Sequence, residues 1–122
     1  MHKFRALLVD DEEELVSTLV ERLGYRGIKA DYALNGADAL RKMCDGSFDV
    51  VVLDLKMPGM SGFELMEILK AKYPDVPVLL ITGHGSPTDE LDEIPEEAYD
   101  YLAKPINLED LIIKLREAVK SG

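Results

Sequence analysis

Several polar residues in this sequence stand where an apolar run ends. Asp10 and Asp11 follow Ala6 to Val9, Asp54 follows Val50 to Leu53, Thr82 follows Val76 to Ile81, and Lys104 follows Tyr99 to Ala103. Taken singly, most have a plain structural reading. Thr82 is an ordinary strand residue, Lys104 an ordinary surface lysine, and Asp10 and Asp11 suit the positive end of a helix dipole. Asp54 resists such a reading. A carboxylate at the end of an apolar central strand costs several kcal/mol unless it takes up a proton or finds a partner.

Brought to one spot, the carboxylates of Asp10, Asp11 and Asp54 would repel one another. A hard divalent cation with oxygen ligands relieves that repulsion and keeps them ionised. Mg²⁺ is the natural occupant, because it binds through one or two carboxylates and leaves other positions to water and phosphate oxygens. A lysine ammonium and a hydroxyl beside such a site suit a phosphoryl group.

The elements that must position these residues are legible in the hydrophobic pattern. The apolar runs Ala6 to Val9, Ile28 to Leu34, Val50 to Leu55, Val76 to Ile81 and Tyr99 to Ala103 imply five strands. Those from Val50 and Val76 are apolar on both faces, as strands of a covered parallel sheet should be, with Pro77 near a strand start. Between the strands, Leu15, Val16, Leu19, Val20 and Leu23 fall at helical spacing, as do Leu108, Leu111, Ile112 and Leu115.

Helix starts are signalled by Ser61 with Glu64, by Ser86-Pro87 and by Asn107 with Asp110; Gly24 and Gly46 are expected to end helices. Alternating strands and helices predict an α/β fold: a parallel sheet with right-handed crossovers, helices on both faces, and its ligand crevice at the carboxyl ends of the strands.

Composition sets the bounds. A length of 122 residues at 47% hydrophobic supports one core, read as a single domain over 1–122. Twenty-four acidic against fourteen basic side chains give a net charge of −10, which disfavours direct binding to nucleic acid or anionic lipid. No run approaches a membrane span or a signal-peptide core. The single cysteine, Cys44, cannot form an internal disulfide and fits a reducing cytoplasm. Cys44 and Met57 read as packing residues.

Four segments carry a specific resemblance: Val9-Asp10-Asp11; Leu53-Asp54-Leu55-Lys56-Met57-Pro58-Gly59-Met60-Ser61-Gly62; Ile81-Thr82-Gly83-His84; and Asp100-Tyr101-Leu102-Ala103-Lys104-Pro105. Their order and spacing resemble response-regulator receiver domains of two-component signalling across nearly the whole chain. The resemblance implies a doubly wound, flavodoxin-like five-stranded sheet in the order 2-1-3-4-5, which the residues alone do not give. It further implies that Asp10, Asp11, Asp54 and the backbone carbonyl of Lys56 hold Mg²⁺. Asp54 would accept a phosphoryl group from the phosphohistidine of a histidine kinase or phosphotransfer protein, and Lys104 would pair with the phosphoryl oxygens.

By the same resemblance, Thr82 turns inward to the phosphate and Tyr101 follows from an exposed to a buried rotamer. A new doubly charged group recruits nearby donors, which gives that switch a physical basis. Gly83 leaves room for its N–H to reach the phosphoryl oxygens, or simply turns the chain after its strand. Lys56 and His84 would flank the phosphoryl group, His84 exposed rather than catalytic. The resemblance also implies a cis Lys104–Pro105 bond.

The stretch from Asp89 to Glu97 departs from the family pattern: six acids, no base, and Pro95. A short or irregular fourth helix is expected there. In the family this segment, strand five and the last helix form the output face, so its acidity favours a basic partner, unless it is merely a solvated acidic loop. A monomer is expected, with a dimer on phosphorylation as the variation.

A flavodoxin-like redox protein is disfavoured because the acids from Asp10 to Glu14 would repel a phosphate after strand one. A haloacid-dehalogenase-type phosphatase has a second acid two residues beyond its nucleophile, where this chain has Lys56 after Asp54; Asp10 does have Glu12 at that distance, but no matching later motif follows. The remaining alternative is a receiver that works as a phosphate-independent binding module.

Overall fold

The computed structural model describes residues 4–56, 62–83 and 98–121. In chain order these form β1 (Arg5–Val9), α1 (Glu13–Tyr25), β2 (Lys29–Ala33), α2 (Gly36–Asp45), β3 (Val50–Asp54), α3 (Gly62–Lys72), β4 (Val78–Thr82), β5 (Asp100–Ala103) and α4 (Leu108–Ser121). The strands make one parallel sheet in the order β2-β1-β3-β4-β5, the order implied by the resemblance.

Every residue of β3 and β4 is buried because helices cover both faces of the sheet. On one face Leu8, Val50, Val52, Leu79 and Ile81 pack with residues of α1 and α4, among them Val16, Leu19, Leu23, Leu111 and Leu115. On the other, Leu7, Val9, Val51, Leu53, Val78 and Leu80 meet Ala39 and Met43 of α2 and Leu65, Met66 and Leu69 of α3. Alternate residues of each strand serve alternate faces, so a one-residue slip of β3 would exchange the two sets and move Asp54 off its position.

Two local readings are corrected. Gly24 does not end α1; it lies within the helix, and Gly27 ends it, with φ of 81° in the left-handed region. The Gly27 N–H donates to Gly24 O at 3.0 Å and the Ile28 N–H to Leu23 O at 2.9 Å, the paired closure in which glycine avoids a Cβ clash. Cys44 is exposed rather than packed, because the inward face of α2 passes through Gly36, Ala39 and Met43 and the next residue turns away from it. Met57 lies outside the described residues. Gly46 does close α2, as expected, and the Asn107 side chain accepts the Asp110 N–H at 3.0 Å.

Asn35, not singled out in the sequence, caps α2 by accepting the Asp38 N–H at 2.8 Å. The expectations for Ser61, His84, Ser86-Pro87 and the segment 89–97 fall outside the described residues. Lys104–Pro105 is cis. Among the described residues no helix is long and apolar enough to cross a membrane.

Candidate functional site

Backbone bonds that continue the sheet beyond its strand ends fix the site residues. The Asp10 N–H donates to Ala33 O at 3.1 Å, Leu55 N–H to Ile81 O at 3.2 Å, and Lys104 N–H to Thr82 O at 3.1 Å. Asp10, Asp54 just before Leu55, and Lys104, widely separated in sequence, are thus brought to one carboxyl-terminal sheet edge, as the crossover topology requires.

Gly62, at the start of α3, closes the floor of this edge. A Cβ there would lie 2.5 Å from Asp54 O and 2.6 Å from Leu55 Cα, so only glycine allows α3 to start against the Asp54–Leu55 backbone. The Gly62 N–H donates to Leu55 O at 3.2 Å, tying the helix to the strand end.

Asp10 is fully buried, Asp54 is 4% exposed, and Asp11 stands in solvent. One oxygen from each lies within 4.8 Å of the others. Asp10 Oδ1 accepts the Glu12 N–H at 3.0 Å, so Asp10 does shape the entry to α1, although Glu12 holds the capping position itself. Asp10 Oδ2 is buried without a hydrogen bond. It lies 3.1 Å from the Lys104 ammonium, an ion pair lacking hydrogen-bond alignment.

Asp54 Oδ1 accepts the Lys56 N–H at 3.1 Å, and its Oδ2 lies 3.6 Å from Lys104 Nζ. Burial pushes the Asp54 carboxyl up to about 6; the Lys56 N–H opposes that, the charge of Asp10 adds to it, and Lys104 again opposes it. Burial alone would lower the Lys104 ammonium, but the hydrogen bond to Glu12, the ion pair with Asp10 and the charge of Asp54 outweigh it and hold the group above its ordinary value.

A buried acceptor without a hydrogen bond, beside two more carboxylates, suits a small hard cation that takes oxygen ligands. The donor set therefore fits Mg²⁺, with Asp10, Asp11 and Asp54 as the groups that would hold it.

Of the residues singled out in the sequence, Asp10, Asp11, Asp54 and Lys104 converge. Thr82 is buried at the end of β4, where, among the described residues, its hydroxyl makes a single long 3.5 Å contact to Leu102 O. Tyr101 is half-buried at the fringe of the cluster under α2 and α3. Lys56 is exposed, and its described contact with Asp54 is through the amide. Gly83 follows β4 directly.

Two site residues carried no such signal. Glu12 binds the Lys104 ammonium, yet an acid before a helix is ordinary and nothing local points to a lysine 92 residues away. Gly62 closes a quoted motif, but its close approach to Asp54 becomes visible only in three dimensions.

Residues 6–116 match the family of response regulator receiver domains. The chain is 36% identical over 118 residues to the transcriptional regulatory protein TcrA of Mycobacterium tuberculosis, covering 97% of this chain and 47% of that protein. It is 32% identical over 122 residues to the transcriptional regulatory protein YkoG of Bacillus subtilis, covering 100% and 54%. It therefore spans about half the length of these relatives. A CheY-like receiver domain protein from Methanospirillum hungatei superposes with a TM-score of 0.87 at 27% identity, over 98% of this chain and 96% of that one. With the parallel sheet, the acidic edge and the lysine already in place, these matches identify the chain as a member of the response regulator receiver domains of two-component signalling.

Proposed function

We propose that Asp54 is the phosphoacceptor of this receiver and that Asp10, Asp11 and Asp54, with the backbone carbonyl of Lys56, hold Mg²⁺. The observation that carries the reading is a buried Asp54 carboxylate set beside Asp10 and within 3.6 Å of the Lys104 ammonium. When bound, Mg²⁺ supplies positive charge that keeps the carboxylates ionised and offsets charge on the phosphoryl oxygens.

An Asp54 oxygen bonds to phosphorus as the bond from phosphorus to the imidazole nitrogen of a donor phosphohistidine breaks, and that nitrogen leaves with the electron pair and takes a proton. Lys104 pairs with the phosphoryl oxygens, and the Gly83 N–H serves as a further donor. Thr82, whose hydroxyl has a long contact to Leu102 O to give up, turns toward the new acceptors. Tyr101 moves inward from its half-buried place, carrying the change to the face of β5 and α4.

The donor is a sensor histidine kinase or phosphotransfer protein, and the output partner presents a basic surface to a chain of net charge −10. The domain acts in the cytoplasm as a signalling module that catalyses its own phosphorylation and dephosphorylation.

Incubation with Mg²⁺ and acetyl phosphate tests this by intact mass. Wild type should gain one labile phosphoryl adduct, absent without Mg²⁺ and absent in Asp54→Asn. A folded, Mg²⁺-binding protein that gains none would overturn the reading in favour of the phosphate-independent binding module.

A further inference from the structure

Glu12 has no part in the chemistry above, yet its carboxylate bonds the Lys104 ammonium. The Lys104 side chain is 14% exposed and that of Glu12 59%, so Glu12 reaches inward from the rim to a lysine already sunk in the site. Glu12 occupies the position before α1 where a side chain ordinarily accepts a first-turn N–H, but it makes no such bond. Its carboxylate is turned to Lys104 instead. Its own N–H is fixed on Asp10 Oδ1, which pins the backbone beneath it to the site.

Under this hold the ammonium lies 3.1 Å from Asp10 Oδ2 but 3.6 Å from Asp54 Oδ2, beyond good charge-assisted hydrogen-bond distance. A phosphoryl group on Asp54 would bring strong acceptors and nearly two negative charges to that side. An ammonium has only three protons to share.

The geometry points to Glu12 as a positioning residue, a latch that holds Lys104 on the Asp10 side of the unphosphorylated site and competes with the phosphoryl group for its ammonium. The inference rests on Asp54 as phosphoacceptor. A group that occupies the lysine before the phosphoryl arrives lowers apparent affinity by the fraction of lysine it withholds. For a half-exposed ion pair of up to about 1 kcal/mol, that is roughly two- to five-fold.

The test uses beryllofluoride, a noncovalent stand-in for a phosphoryl group on a carboxylate, with the whole chain at saturating Mg²⁺. Glu12→Gln should bind it two- to five-fold more tightly than wild type. Glu13→Gln is the charge control, since the Glu13 carboxylate accepts the Tyr32 hydroxyl at 3.3 Å instead; its affinity should stay at the wild-type value. In the Mg²⁺-free protein without beryllofluoride, the Lys104 Cε–Hε NMR signal should move in Glu12→Gln and hold still in Glu13→Gln.

Wild type that binds no beryllofluoride would overturn the phosphoacceptor reading and the competition together. Wild type that binds it, with Glu12→Gln no tighter, would overturn the latch alone. Equal tightening in both variants would assign the effect to general charge and also overturn it, as would an unmoved Lys104 signal.

Discussion

Asp54 is held in a state of conflict that its surroundings are built to exploit. Burial raises its carboxyl to about 6 from 3.8, so without Mg²⁺ the folded chain binds that proton more tightly than the unfolded chain. This contribution is present at low pH and is lost as pH rises from about 4 through about 6, up to about 3 kcal/mol in all. Asp54→Asn, neutral at every pH, should therefore be more stable than wild type by about 1–3 kcal/mol at pH 7.5 in a chelating buffer. Urea unfolding should show that gap closing as pH falls below about 5. A gap independent of pH would mean that the Asp54 charge is not its cause. Lys104 offsets part of the same repulsion. Lys104→Ala should lower stability in chelating buffer by about 1–3 kcal/mol, because it leaves Asp10 Oδ2 buried without its ion-pair partner; thermal unfolding with and without Mg²⁺ checks it, Mg²⁺ recovering much of the loss.

At the scale of elements, the site depends on where α3 begins. Helix α3 starts against the backbone of Asp54 only because Gly62 lacks a Cβ. Gly62→Ala should force the helix start and the strand end apart, cost about 1–3 kcal/mol by overpacking, and slow adduct formation from acetyl phosphate. Gly27→Ala serves as its counterpart. It strains a backbone at φ of 81° by about 1–2 kcal/mol, far from the acidic edge, and should lower the unfolding midpoint while leaving the adduct rate unchanged. Equal effects of both variants on the rate would show that it follows stability rather than the α3 start. The end of α1 was misread at Gly24 because two glycines lie close together there, and only the left-handed turn, a property of the backbone path, selects Gly27.

At the scale of the molecule, β1, β3 and β4 were legible because covered strands read as unbroken apolar runs, and α1 and α4 because one stripe of each is apolar. The strand order was not legible from periodicity, since alternating elements permit several windings; it came with the motifs. The motifs also gave Asp10, Asp11, Asp54 and Lys104. The pairing of Glu12 with Lys104 escaped notice because the lysine lies across the sheet edge and the local sequence of Glu12 is that of any acidic helix start. The whole fold concentrates negative charge on one edge of a chain already at −10, so a bound cation should stabilise it globally. Mg²⁺ at tenfold its dissociation constant should add about 1.4 kcal/mol and raise the melting temperature by about 5 °C. In Asp10→Asn, melting curves should show little of that rise; a full rise would place the cation elsewhere.

One carboxylate of the acidic edge carries the phosphoryl group, and reduction identifies which. Borohydride reduction of the acetyl-phosphate-treated protein, followed by peptide sequencing in the mass spectrometer, converts an aspartyl phosphate to homoserine where it stands. Homoserine at position 54, formed only with Mg²⁺, is the predicted result. Homoserine at position 10 or 11, or a phosphoryl group retained on a hydroxyl side chain, would contradict the account.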